Sequence, residues 1–191
     1  MRKLLLIFAA VGLMAGFAGK VMATGGNALT ASPTHTLNLN IPEVCLMTIY
    51  GASGNTITLA PTTATAGTII ADDPNSALYL VVTSTVTSSF VDLVETVDTR
   101  DITVSIDAAI PGFDIKVAAA APTGGDGTFG TAVTTPFTLT TSPQNIVSGI
   151  GSCYTGVGTL GYNLTYSLVK NTYANIRAKN NAVTVTYTIT I

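Results

Sequence analysis

The chain has two cysteines, and these are the side chains whose chemistry is easiest to interpret. Cys45 and Cys153 are far apart in the sequence, without the Cys-X-X-Cys spacing of a redox or metal-binding pair. In an exported protein, an even number of cysteines is most simply explained by a structural disulfide. The sequence therefore predicts a Cys45–Cys153 bond, which would stabilise the fold by up to roughly 4.7 kcal/mol in the chain-entropy model.

Catalytic chemistry has few candidates in this sequence. His35 is the only histidine, and there is neither a G-x-S-x-G motif nor a metal-spaced cluster of His and Cys. Residues 125–130 and 156–161 both match G-x-G-x-x-G, but threonine-rich β-type sequence follows each, where a dinucleotide site needs a helix. Both motifs are expected to be glycine-rich hairpin loops. We predict that the protein is not an enzyme, and we assign no catalytic, cofactor-binding or metal-binding residue.

The acidic side chains are concentrated in two places, which leaves two interpretations open. They could supply oxygen ligands for Ca²⁺, or they could be solvated turn residues, the reading that we favour. The residues in these two places are Asp72, Asp73, Asp92, Glu95, Asp98 and Asp101. Nucleic acid is not a predicted partner, because only five basic residues follow position 23, against ten acidic ones.

The first 23 residues have the pattern of a secretory signal peptide. Arg2 and Lys3 precede an apolar run over residues 4–18, and Val21 and Ala23 are small residues placed for cleavage. The run is shorter than the roughly 20 residues of a membrane-spanning helix, and no second apolar stretch follows it. We therefore expect a signal peptide over residues 1–23, a flexible leader over residues 24–34 and a single domain over residues 35–191. The predicted location is extracellular or on a bacterial cell surface, with no membrane span after cleavage.

Apolar and polar residues alternate at both ends of the mature chain, which is typical of half-buried β-strands. Near the N-terminus, Leu37, Leu39 and Ile41 share one face, before Pro42 interrupts the pattern. At the C-terminus threonines occupy the opposite face, and the apolar face consists of Val183, Val185, Tyr187, Ile189 and Ile191. This second run contains no charge and no proline, the usual protections of an exposed strand edge. Its backbone must therefore pair, within the domain or with another subunit.

Further short strands are expected between these ends, separated by Gly, Pro, Asn and Asp turns. The candidate segments are residues 44–50, 55–60, 77–86, 101–107, 113–119, 136–141, 144–148 and 163–169. Residues 89–98 fit either a short helix or a loop, because Phe90, Leu93, Val94 and Val97 recur at helical spacing. Together these segments predict an all-β fold, an Ig-like or pilin-like β-sandwich of about 8–10 strands with one disulfide.

Three segments carry a resemblance to known proteins. Residues 149–156 and 163–168 and the VTVTYTITI ending resemble small exported bacterial β-proteins of uncharacterised function. The chain is also similar, more loosely, to pilin and fimbrial subunits in its signal peptide, length, cysteine pair, alternating ends and Tyr187. It departs from them in having Ala178 in the region where such pilins carry a glycine. The resemblance implies a sandwich that polymerises.

Two hypotheses on function follow. In the first, the protein is a structural subunit of an extracellular filament or surface layer, a homopolymer whose copies join by β-strand addition. Residues 35–41 would be the donated strand, and the C-terminal strand would belong to the receiving sheet. In the second, it is a monomeric secreted module that binds a glycan or Ca²⁺ through its Asp- and Gly-rich loops.

Overall fold

The computed structural model describes residues 34–51, 54–59, 73–91, 94–178 and 182–190, with the backbone alone at residues 73–77, 90–91 and 94. The expected signal peptide, all of the leader except Thr34, and Ile191 lie outside these ranges. Strands and short 3-10 turns make up the regular structure of the described chain. The strands are β1 (Val44–Gly51), β2 (Asp73–Thr85), β3 (Ser88–Val91), β4 (Val94–Val97), β5 (Arg100–Ile106), β6 (Phe113–Ala120), β7 (Asp126–Gly127), β8 (Thr131–Ala132), β9 (Phe137–Thr138), β10 (Gln144–Ile150), β11 (Cys153–Tyr154), β12 (Tyr162–Lys170) and β13 (Val185–Ile189).

These strands form two main antiparallel sheets and one small hairpin. In the large sheet the order is β7-β11-β2-β12-β6-β9. Strands β11 and β12 pair with one edge of β2, and β1 pairs with its opposite edge. In the small sheet the order is β13-β5-β10-β8. The all-β prediction is confirmed. Strand β1 begins two residues after Pro42 and lies at an edge of the large sheet.

One hydrophobic cluster joins the two main sheets. The alternating residues of each strand point into it, so that β5 buries Ile102, Val104 and Ile106 while its intervening residues are only half-buried. The large sheet contributes the facing rows Leu78, Leu80 and Val82 from β2 and Tyr162, Leu164, Tyr166 and Leu168 from β12. Each fully buried aliphatic side chain contributes about 1.5–3 kcal/mol. The arrangement is sandwich-like, because apolar rows from both sheets share one core.

Two local expectations are wrong. Residues 88–91 and 94–97 form the paired strands β3 and β4 instead of the expected helix or loop, from Ser88 opposite Val97 to Val91 opposite Val94. Branched residues such as Thr96 favour strand pairing over a short helix. Residues 55–59 are not a strand, although Ile57 and Leu59 are half-buried against the core.

The first G-x-G-x-x-G motif packs tightly against a neighbouring segment, and this packing explains its glycines. Gly125 has φ +83°, and a Cβ there would lie 1.8 Å from the carbonyl oxygen of Tyr154. Only glycine permits both that backbone conformation and that approach. Strand β8 follows the first motif, and β12 follows the second, which contains a 3-10 turn at Gly158–Leu160.

The chain divides at Ile41. Residues 34–41 belong to one unit, and residues 42–191 form the other, which contains both sheets. Among the residues that the structure describes, no helix is both long and apolar enough to cross a membrane.

Candidate functional site: the open strand edges

In the described chain, five strands lie at the edges of the two main sheets, and their lengths differ sharply. Within the described chain, β7, β8 and β9 contain two residues each. In contrast β1 has eight residues and β13 has five, and each has one edge without a partner strand among the residues that the structure describes. Very short edge strands offer almost no backbone for pairing, so shortness protects those edges. The two edges left open belong to the first and last strands of the domain.

The unpaired backbone groups of β13 can be identified from its hydrogen bonds to β5. Asp107 N–H donates to the Thr184 carbonyl, and Thr190 N–H donates to the Asp101 carbonyl, 2.8 Å away. In an antiparallel ladder alternate residues bond the same neighbour, so Thr186 and Thr188 also face β5. The N–H and C=O groups of Val185, Tyr187 and Ile189 therefore point to the open edge.

The same three residues also carry the half-buried side chains of β13. Val185, Tyr187 and Ile189 pack against the core cluster together with Val183, while the threonines between them are exposed. No charge and no proline lies within β13. An added strand would therefore meet unpaired backbone and half-covered apolar side chains at one place.

A tyrosine pair fastens β13 to the opposite sheet. The hydroxyl oxygens of Tyr187 and Tyr166 are 2.5 Å apart, and Tyr166 lies on β12. Burial raises the pKa of Tyr166 to about 12. Burial also raises the pKa of Tyr187, and the neighbouring Tyr166 raises it further. Both hydroxyls are thus harder to ionise than those of free tyrosine, which suits a hydrogen bond between them.

The predicted donor residues lie outside both sheets. Leu37, Leu39 and Ile41 are 82%, 79% and 69% exposed, and residues 34–41 form no strand. Three large apolar side chains in a row at this exposure are unusual in a soluble protein. The structure thus leaves the N-terminal row uncovered, while the C-terminal row from Val183 to Ile189 packs on the core.

The predicted disulfide is absent, because strand β2 separates the two cysteines. Cys45 on β1 and Cys153 on β11 are both in register with Ser84, on its opposite sides. Two inter-strand spacings place their Cα atoms roughly 10 Å apart, beyond the range of a disulfide. Both thiols are free, and a bond between them would require β2 to be displaced.

Arg100 is a site residue that the sequence analysis missed. It continues the core-facing row of Ile102, Val104 and Ile106, yet its side chain is only 2% exposed. Its Nε donates to Ser84 Oγ across the core at 3.1 Å, and its Nη2 donates to Glu43 Oε1 at 2.6 Å. The sequence alone could have indicated this role, because the alternation from Arg100 to Ile106 places a charged residue on the apolar face of a strand.

Other kinds of site find little support in the described part of the chain. No group of three or more His, Cys, Asp or Glu side chains there is placed to hold a metal ion. Asp101 is engaged by neighbours, since its carboxylate accepts bonds from Gly149 N–H and Asn145 Nδ2. No protein-family model matches this sequence, no curated protein is significantly similar to it, and no solved structure matches it significantly.

Thiol chemistry tests the separation of the cysteines. In protein purified without reductant, we expect iodoacetamide to modify both cysteines after denaturation. In native protein Cys45 should react before Cys153, because Cys153 is buried and burial raises the pKa of its thiol. Peptide mass spectrometry distinguishes the two sites. A chain two hydrogens lighter, with no alkylation after denaturation, would show that the bond forms and that β2 moves.

The tyrosine pair predicts a loss of stability at alkaline pH. Unfolded tyrosines ionise near pH 10.0, whereas folded Tyr166 keeps its proton to about 12. The unfolded state therefore binds fewer protons in this window, and the free energy of unfolding falls by about 1.4 kcal/mol per pH unit for each such group. Urea denaturation of Tyr166→Phe should show a shallower decline than the wild-type protein between pH 10 and 12. Tyr154→Phe, which removes an exposed hydroxyl, should leave the slope unchanged.

Proposed function

We propose that this protein is an exported structural subunit of an extracellular filament or surface layer, and that its copies join by β-strand addition. The observation that carries the proposal is the open edge of β13, whose outward backbone groups belong to Val185, Tyr187 and Ile189. Proteins that remain monomeric normally protect such an edge with charge, proline or shortness. The β13 edge has neither a charge nor a proline, and it is longer than the two-residue edges of β7, β8 and β9.

The donor in this proposal is the segment of residues 35–41 from a second copy, called the arm below. Paired strands place opposite residues on the same face of a sheet. Leu37, Leu39 and Ile41 would thus lie over the core-facing side when they pair with the edge residues of β13. Burying each of them contributes about 1.5–3 kcal/mol, and the new main-chain hydrogen bonds add to this.

The dimensions of donor and acceptor agree. Seven extended residues span about 23 Å, while the five residues of β13 span about 17 Å. The arm is therefore long enough to cover the whole edge. Because the arm and the edge are different surfaces, the contact is head-to-tail, and such contacts generate open fibres when rotation does not close them into a ring.

The finer fold assignment is part of the same proposal. We infer an Ig-like or pilin-like sandwich exported to the cell surface or the medium, with the expected signal peptide removed. The shared core of the two main sheets and the antiparallel pairing throughout support this assignment. A monomeric glycan- or Ca²⁺-binding module is the alternative that the following measurements would favour if no polymer forms.

The donor role of the arm can be tested with a matched pair of charges. Leu39→Asp places a carboxylate on the apolar row, whereas Asn38→Asp places the same charge on the opposite face. If the arm inserts, L39D should abolish polymer of the mature protein, and N38D should retain it. Size-exclusion chromatography and negative-stain microscopy report the assembly state. Polymer formation by L39D, or by a protein lacking residues 24–41, would exclude the arm as donor.

The acceptor role of β13 can be tested at one of its outward amides. Val185→Pro removes an N–H that faces the open edge while leaving the hydrogen bonds to β5 in place. Val185→Ala removes the side chain but keeps the N–H. We expect V185P to fold and remain monomeric, and V185A to polymerise. If V185P assembles as well as V185A, the acceptor is another edge, for which β1 is the longest candidate.

A further inference from the structure

The chain is held firmly at the point where the arm meets the domain. Thr85, the last residue of β2, uses one hydroxyl for two bonds to the incoming chain: Oγ1 accepts from Val44 N–H at 2.6 Å and donates to the Pro42 carbonyl at 2.8 Å. These two bonds flank Glu43 on both sides. The backbone of residues 42–44 is thereby fixed to the end of a central strand.

The side chain of Glu43 is held from the opposite sheet. Arg100 reaches it from β5 with an N–O distance of 2.6 Å, and the same Nη2 donates to the Thr85 carbonyl at 3.2 Å. Glu43 is 43% exposed, but Arg100 is almost fully buried. A buried guanidinium needs acceptors, and Ser84, Thr85 and Glu43 each supply one. Arg100 therefore ties the entry of the chain to both sheets.

We infer that Thr85 and Arg100 form an anchor on residues 42–44, which retains β1 in its own domain and limits strand exchange to residues before Pro42. The inference rests on the proposed function for the exchange itself, but the anchor is a property of each single copy. Pro42 supports the same boundary, because it has no N–H to donate to a ladder and would interrupt any strand running from the arm into β1. The boundary between the two units of the chain also falls between residues 41 and 42.

The anchor decides which strand is exchanged. Without it, β1 is exposed to exchange, because it is itself an edge strand and pairs with β2 alone. Its loss would uncover Met47 and Ile49, which pack against the core, and the half-buried Cys45. With the anchor in place, a subunit can donate its arm and still keep a complete core.

Hydrogen–deuterium exchange of the full mature protein tests the anchor. Thr85→Val removes both hydroxyl bonds and keeps the branched shape, and Thr83→Val makes the same change two residues away on an exposed position of the same strand. We expect the amides of β1 to exchange about tenfold faster in T85V than in T83V, while those of β5 and β12 are unchanged. Native alkylation of Cys45 should accelerate in parallel. Equal β1 exchange rates in T85V and T83V would overturn the inference.

A second pair of variants tests the contribution of the ion pair. Glu43→Gln removes the charge bonded to Arg100, and Glu95→Gln removes a charge from the exposed β3–β4 hairpin. The amides of β1 should exchange faster in E43Q than in the wild-type protein, and at the wild-type rate in E95Q.

These exchange measurements do not require assembly, so they can fail while the filament proposal holds, or succeed in a protein that stays monomeric. Where polymer forms, the arm amides should gain protection and those of β1 should not change; exchange of β1 between copies would contradict the anchor.

Discussion

The pairing of β2 on both of its edges is the constraint on which most of the structure depends. Its 13 residues pair with β1 along one edge and with β12 and β11 along the other. A residue such as Leu80 is thus fixed between Ile49 and Tyr162, and Ser84 between the two cysteines. A shift of one residue would turn the row of Leu78, Leu80 and Val82 from the core to the solvent. The register of the central strand therefore determines which side chains build the core.

The same register shows why some expectations from the sequence were correct and others were not. The period-2 pattern of residues 101–107 and 163–169 reflects burial of one face, which is a local property, and strands β5 and β12 follow it closely. Pairing partners are not local. The sequence places Cys45 in a candidate strand, but it indicates neither the two-residue strand at Cys153 nor that β2 runs between the two cysteines. An even cysteine count carries no information about strand order.

Arg100 illustrates a different limit. A charged residue at the start of a strand is normally read as a solvated end, and the expected strand began one residue later, at Asp101. Its burial is possible only because Ser84, Thr85 and Glu43 come from other parts of the chain to accept its hydrogen bonds.

The open edges, by contrast, could be anticipated from the sequence. A run such as Val183 to Ile189, without charge or proline, has to be paired or covered wherever it lies in the fold, although the sequence cannot show that the neighbour is β5.

Arg100 and Asp101 are consecutive residues, and this has a mechanical consequence. The side chain of Arg100 holds the start of the domain at Glu43, while the backbone of Asp101 bonds Thr190 at the end of β13. Tension applied at residues 42–44 would pass into β2 through the hydroxyl of Thr85 and into β5 through the guanidinium of Arg100, and from β5 it would reach β13 through ladder hydrogen bonds. In the proposed polymer, the start and the end of each domain would therefore be joined through two consecutive residues of β5.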